Sequence, residues 1–160
     1  GQGAIQQAMA AFAKLDLVDV VSRHVQENRP FLGICLGFQL LFEYSEEHGG
    51  HPGLGLYRGS VKRFPASNLT VPHMGWNRLD CKPDLAMYQS VQSPYFYFAN
   101  SYYVDTPDTQ WVSATCSYGV SFAASLQHDR VWATQFHPEK SGDAGLQVLR
   151  NFLAYQKESL

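Results

Sequence analysis

Apolar residues recur at helical spacing in the first 26 positions of this chain of 160. Ile5, Met9 and Phe12 fall on one face of segment 4–14, whose alanines and glutamines suit a helix. Leu17, Val20, Val21 and Val25 make a stripe along a second helix, which Asp16 opens. The polar run 26–30 ends it at Pro30. The next apolar run, from Phe31 to Ile34, is too short for a buried helix and predicts a buried strand. Helical character returns over 38–43, and 44–59, rich in Glu, Gly and His, reads as a loop. Between 59 and 136, β-branched and aromatic clusters predict strands at 60–64, 76–79, 95–98, 111–118, 120–126 and 131–136. Turns are expected at Tyr118-Gly119 and at His128-Asp129-Arg130. Ser141 is expected to cap a last helix with Leu146, Leu149, Phe152 and Leu153 on its core face. Helix, strand, tight turn and helix, followed by closely spaced strands, predict an α/β fold. Its parallel core would be extended by antiparallel strands.

Composition narrows the function classes. A hydrophobic share of 45% with 16% charged residues describes a globular chain of one-domain size. The net charge of −2, with both signs dispersed, gives no electrostatic case for nucleic acid or an anionic membrane. Three widely spaced cysteines, Cys35, Cys81 and Cys116, form no Cys-x-x-Cys pair. Neither a disulfide framework nor a zinc site is expected, and a reducing, cytoplasmic setting is. No signal-peptide pattern and no apolar run of membrane-spanning length is expected. His48 and His51 lack a third ligand partner and read as solvated loop residues.

Chemistry concentrates in two stretches. Gly33-Ile34-Cys35-Leu36-Gly37 is a thiol form of the nucleophile elbow, in which small residues allow a sharp strand-to-helix turn that exposes the central side chain. A cysteine with apolar flanks also serves as core filler. The glycines and the strand-to-helix context favour the nucleophile, and a helix N-terminus would favour its thiolate. The second stretch is His137-Pro138-Glu139 at the end of a predicted strand, where Pro138 stops the strand from continuing. Two residues separated by one rigid proline let the carboxylate hold the imidazole, as the acid of a catalytic triad does. His-x-Glu also opens the zinc deaminase signature, but no Pro-Cys-x-x-Cys follows, which excludes that reading. Pro72, His73, Met74, Gly75, Trp76 and Asn77 group amphipathic and adaptable side chains of the kind found at interfaces. Gly1 and Gly3, just before the first helix, suit a tight turn whose N–H groups face an anion.

Gly-Ile-Cys-Leu-Gly-Phe-Gln at 33–39 and Gln-Phe-His-Pro-Glu-Lys-Ser at 135–141 resemble the motifs of the class I glutamine amidotransferases. Pro-His-Met-Gly-Trp-Asn at 72–77 and Phe-Ala-Ala-Ser at 122–125 are similar to the members that serve histidine biosynthesis. The resemblance implies a flavodoxin-like, three-layer α/β fold with a mixed sheet. It implies glutamine hydrolysis by Cys35 as nucleophile, His137 as base and then acid, and Glu139 as the residue supporting the imidazolium. Leu36 and the Gly1–Gly3 turn would donate to the oxyanion. Gln39 and Glu47, with Ser101 and Tyr102, would hold glutamine. The implied partner is a (β/α)8-barrel cyclase subunit in a heterodimer, with 72–77 at the interface, and no metal or organic cofactor is implied.

Two departures stand out. Family members begin with a strand and helix ahead of the position matched by Gly1, so the sequence reads as lacking an N-terminal portion. Ala99-Asn100 also stands where the family carries Val-His before Ser-Tyr. The alternatives are a glutaminase for pyridoxal phosphate or purine synthesis, and a catalytically silent docking module.

Overall fold

The computed structural model describes residues 3–66 and 68–158. Helices α1 (Ile5–Lys14) and α2 (Leu17–Gln26) precede strand β1 (Phe31–Ile34), the short helix α3 (Leu36–Gln39) and strands β2 (Phe42–Ser45) and β3 (His51–Pro52). Then come β4 (Tyr57–Arg63), β5 (His73–Cys81), β6 (Tyr95–Asn100), β7 (Tyr102–Asp105), β8 (Val112–Tyr118), β9 (Val120–His128) and β10 (Val131–Thr134). Helix α4 (Gly142–Glu158) closes the order.

The strands form a mixed sheet ordered β3-β2-β4-β7-β9-β8-β5-β6, and β10 joins β9 to β1. The pairs β1–β10 and β2–β4 are parallel, and β4–β7, β5–β6, β8–β9 and β9–β10 are antiparallel. Alternation along β10 sends Val131 and Ala133 into a cluster with Val25 of α2 and Phe38, whereas Trp132 joins Phe136 and Val148 of α4 on the opposite face. All four β10 residues are buried. A strand covered on both faces and paired on both edges is a rigid base for a site at its end.

Several sequence expectations need correction. The helix expected over 38–43 stops at Gln39, and Phe42 and Glu43 belong to β2. Phe42 pairs instead with Tyr57 of β4, and residues 54–57 fold back and donate to the carbonyls of Leu40, Leu41 and Phe42. The segment expected as a loop over 44–59 therefore holds β3 and the ends of β2 and β4, and β7 was not expected. Asp16 has φ of 54° and no capping side-chain bond, so it turns the chain between α1 and α2. Val25 is buried, but Val20 is exposed. In α4 the inward face is Ala144, Val148, Phe152 and Tyr155, while Leu146 and Leu153 are exposed. The turns at Gly119 and Asp129 fall as expected, both with positive φ.

Candidate active site

Parallel register sets Phe31 beside Val131 and Ile34 beside Thr134. Cys35 N–H continues the pairing by donating to the Thr134 carbonyl at 2.7 Å. Cys35 thus leaves the sheet alongside Gln135, and His137 follows at the same end. The backbone at Cys35 has φ of 51° and ψ of −102°, a strained conformation for a residue with a Cβ. This is the turn the elbow motif predicts. The two glycines contribute unequally. A Cβ at position 33 would lie 2.7 Å from the Gly37 carbonyl oxygen, whereas one at position 37 would meet nothing within 4 Å. Gly33 is a steric requirement of the turn and Gly37 is not.

Burial pushes the Cys35 thiol above its ordinary range, against the expected preference for thiolate. The Leu36 N–H and the Gln135 side chain oppose that shift, and the Glu139 charge adds to it. His137 is almost fully buried, and its Nδ1 lies 2.7 Å from Glu139 Oε1. A carboxylate only accepts, so Nδ1 carries a proton, and in the neutral ring Nε2 keeps the lone pair. The ring is held through its main chain as well: His137 N–H donates to the Tyr97 carbonyl, and the Ser141 hydroxyl donates to the His137 carbonyl at 2.7 Å. Ser141 was expected to cap α4; its hydroxyl is instead spent on the histidine.

A cavity of about 370 Å³ opens at Cys35 and is lined by Gly3, Leu36, Gln39, Glu47, Ser101 and Tyr102, each expected in the site. It has the size of a small-molecule site. Gly3 sits there with φ of 113°, and Glu47 Oε2 accepts the N–H of Ile5 at 2.9 Å, fastening the start of α1 to the rim. Gly1 lies outside the described residues. His137 and Glu139 are not part of this lining.

Residues 72–77 divide between surface and interior. Met74 and Trp76 are exposed, 65% and 57%, on β5, and Pro72 and Met74 also line the cavity. Gly75 lies between them on the strand with φ of 128°. His73 does not present a surface side chain: it is buried, stacked on Tyr118 and Phe98. Burial lowers its pKa to about 4. Asn77 approaches His73 Nε2 at 3.3 Å and donates to the Ser117 carbonyl, so it serves to hold the strand.

Two residues of the site were not expected from the sequence. Gln135, fully buried, donates from Nε2 to Cys35 Sγ at 3.6 Å. The signal for it was a polar pair, Thr134-Gln135, at the end of an otherwise apolar strand. Asn100, noted only as a departure from the family pattern, lines the cavity and donates to the Tyr102 carbonyl at 2.8 Å.

Elsewhere a larger cleft of about 590 Å³ is lined by residues including Cys81, Lys82 and Tyr88. Burial raises the Cys81 thiol to about 11, away from the range of a reactive thiolate. Among the described residues no group of His, Cys, Asp and Glu could hold a metal ion, and no helix is long and apolar enough to cross a membrane.

Comparison with known proteins gives a consistent answer. The family model of class I glutamine amidotransferases matches residues 13–155. The chain is 47% identical over 162 aligned residues to the imidazole glycerol phosphate synthase subunit HisH of Thermosynechococcus vestitus, covering 99% of this chain and 77% of the relative. It is 46% identical over 156 residues to the chloroplastic imidazole glycerol phosphate synthase hisHF of Arabidopsis thaliana, covering 96% of this chain and 26% of that longer protein. A solved structure described as a glutamine amidotransferase superposes with a TM-score of 0.69 at 19% identity, over 97% of this chain and 76% of the other. That last likeness is one of fold.

Proposed function

The chain belongs to the class I glutamine amidotransferases, and from that premise we propose that it is the glutaminase subunit of an imidazole glycerol phosphate synthase. The observation that carries the reading is the convergence of Gly3, Leu36, Gln39 and Glu47 on one cavity at the Cys35 thiol, with His137 at the same end of the sheet. The names of the relatives support the acceptor pathway, and the identity over nearly the whole chain supports carrying it over.

In this mechanism His137 Nε2 takes the Cys35 proton as sulfur attacks the carboxamide carbon of glutamine. The oxyanion is received by the Leu36 N–H and by a donor from the turn at Gly3. One such donor contributes about 3–4 kcal/mol to barrier lowering. His137 then protonates the departing ammonia, leaving a glutamyl thioester on Cys35. It next deprotonates water, which releases glutamate and restores the thiol. Glu139 holds the Nδ1 proton throughout and stabilises the imidazolium. Gln39, Glu47, Ser101 and Tyr102 hold the amino-acid end of glutamine.

Ammonia passes to a (β/α)8-barrel cyclase subunit, which docks on the surface of Met74 and Trp76 to form the heterodimer. The cyclase, or lyase, half of the reaction belongs to that partner. The three thiols of the fold are unpaired, which supports a reducing, cytoplasmic setting.

The test is glutamate release by the chain mixed with a barrel cyclase, with and without the acceptor nucleotide. Turnover is expected to be low alone, to rise on adding partner and acceptor, and to vanish in Cys35→Ala. Indifference to the partner would remove the subunit assignment, and unchanged turnover in Cys35→Ala would remove the nucleophile.

A further inference from the structure

The buried amides around Cys35 form a chain whose polarity is dictated by the backbone. The Tyr102 carbonyl oxygen can only accept. The Gln39 side-chain nitrogen therefore faces it, at 3.1 Å, and the second hydrogen on that nitrogen goes to Gln135 Oε1 at 2.9 Å. With its oxygen engaged, Gln135 turns its own nitrogen to Cys35 Sγ at 3.6 Å. Asn100 occupies the other side of the Tyr102 carbonyl with an N–H at 2.8 Å. Inverting Gln39 would set oxygen against oxygen, and inverting Gln135 would set one NH2 against another, inside the fold, where Gln135 is 0% and Gln39 8% exposed. The end of the chain that meets sulfur is thus fixed as a donor.

We propose that Gln135 is a further catalytic residue: its side-chain N–H aims the Cys35 sulfur and stabilises it as thiolate, and Gln39 is the positioning residue that fixes this polarity from the Tyr102 carbonyl. A donor favours the anion over the neutral thiol, which offsets the burial that disfavours charge at Cys35. The charged groups nearby are the positive amino terminus, which favours the thiolate, Glu139, whose charge opposes it, and Glu47 across the cavity, with His137 the titratable neighbour at the same end of the sheet. Because Gln39 spends its nitrogen on Tyr102 and Gln135, its oxygen is the atom left for the substrate ammonium. The proposal rests on Cys35 being the nucleophile of the glutaminase and adds the group that prepares it.

The experiment measures alkylation of Cys35 by iodoacetamide between about pH 7 and 11, read on the Cys35 peptide so that Cys81 and Cys116 do not contribute. Gln135→Met is expected to move the midpoint up by about one pH unit, making alkylation at neutral pH about tenfold slower. Gln135→Glu moves it further, through like charge. A second measurement uses the unaltered protein: in nitrogen-15 NMR spectra the Gln135 side-chain NH2 signals should titrate with the same midpoint as Cys35 alkylation. Coincident alkylation profiles for parent and folded variants, or NH2 signals indifferent to that midpoint, would overturn the proposal. Glutamine turnover is not read in either measurement, so a failure of the glutaminase reading leaves both results standing.

Discussion

The Ser141 hydroxyl bridges two backbone groups of the site, donating to the His137 carbonyl oxygen at 2.7 Å and accepting the Tyr97 N–H at 2.9 Å. The bridge ties the strand end that carries His137 to β6. Ser141→Ala leaves a buried donor and weakens the hold on a buried acceptor, a loss of about 1–3 kcal/mol. Urea unfolding should show that loss, and kcat for glutamine hydrolysis should fall about tenfold as His137 loses its setting. Unchanged kcat in a destabilised Ser141→Ala protein would confine the bridge to stability.

Glu139 supports His137 from a half-exposed position, 47% open to solvent. On the proposed mechanism water would share in stabilising the imidazolium there, so the carboxylate is expected to contribute less than a buried triad acid. Glu139→Gln keeps an oxygen for the Nδ1 proton and removes the charge. The expected loss in kcat is about 10–100-fold, against about 10⁴ where the acid is buried. A steady-state assay decides it, and a loss below about twofold would take Glu139 out of the mechanism.

His73 should make stability depend on pH. Its folded pKa of about 4 lies below the ordinary 6.5, because burial disfavours the charged ring. The contribution is complete above the unfolded value and is lost as pH falls from 6.5 towards 4, where the unfolded chain binds the extra proton. The span corresponds to about 3 kcal/mol at most. His73→Phe keeps an aromatic ring between Tyr118 and Phe98 and cannot titrate. Urea unfolding at neutral and mildly acidic pH should show a smaller acid loss in the variant. Equal losses in both proteins would place the titration elsewhere.

Trp76 stands on β5 with its ring edge-on to Tyr97 and most of its face in solvent. If the barrel partner docks there, Trp76→Ala should weaken association by about thirtyfold or more. The stability of the free chain should change by less than about 0.5 kcal/mol. Calorimetric titration against the partner reads the first and thermal unfolding the second. Unchanged affinity would move the interface off this face.

Local chemistry was legible in the sequence because it rests on short-range rules. A strand between Pro30 and a glycine-flanked cysteine, and a histidine followed by proline, fix their own turns, and the structure places Cys35 and His137 at one sheet end. The long-range captures were not legible. The helix predicted through Glu43 ends at Gln39 because 42–45 pair with β4, a tertiary contact invisible to periodicity. On α4 the expected Phe152 does face the core, but Leu146 and Leu153 point outward while smaller Ala144 and Val148 pack inward. Gln135 escaped for a related reason. The polar pair Thr134-Gln135 marks only the strand end, and the part of Gln135 emerges when Gln39, 96 positions earlier, is set against it.

The most direct test of the account is the covalent intermediate. Glutamine turnover with the partner present, quenched in acid and resolved by peptide mass spectrometry, should place one glutamyl group on the peptide bearing Cys35. Cys35→Ser should leave that peptide unmodified and stop glutamate release. Glutamate release that continues in Cys35→Ser, with no adduct on the parent peptide, would contradict the account.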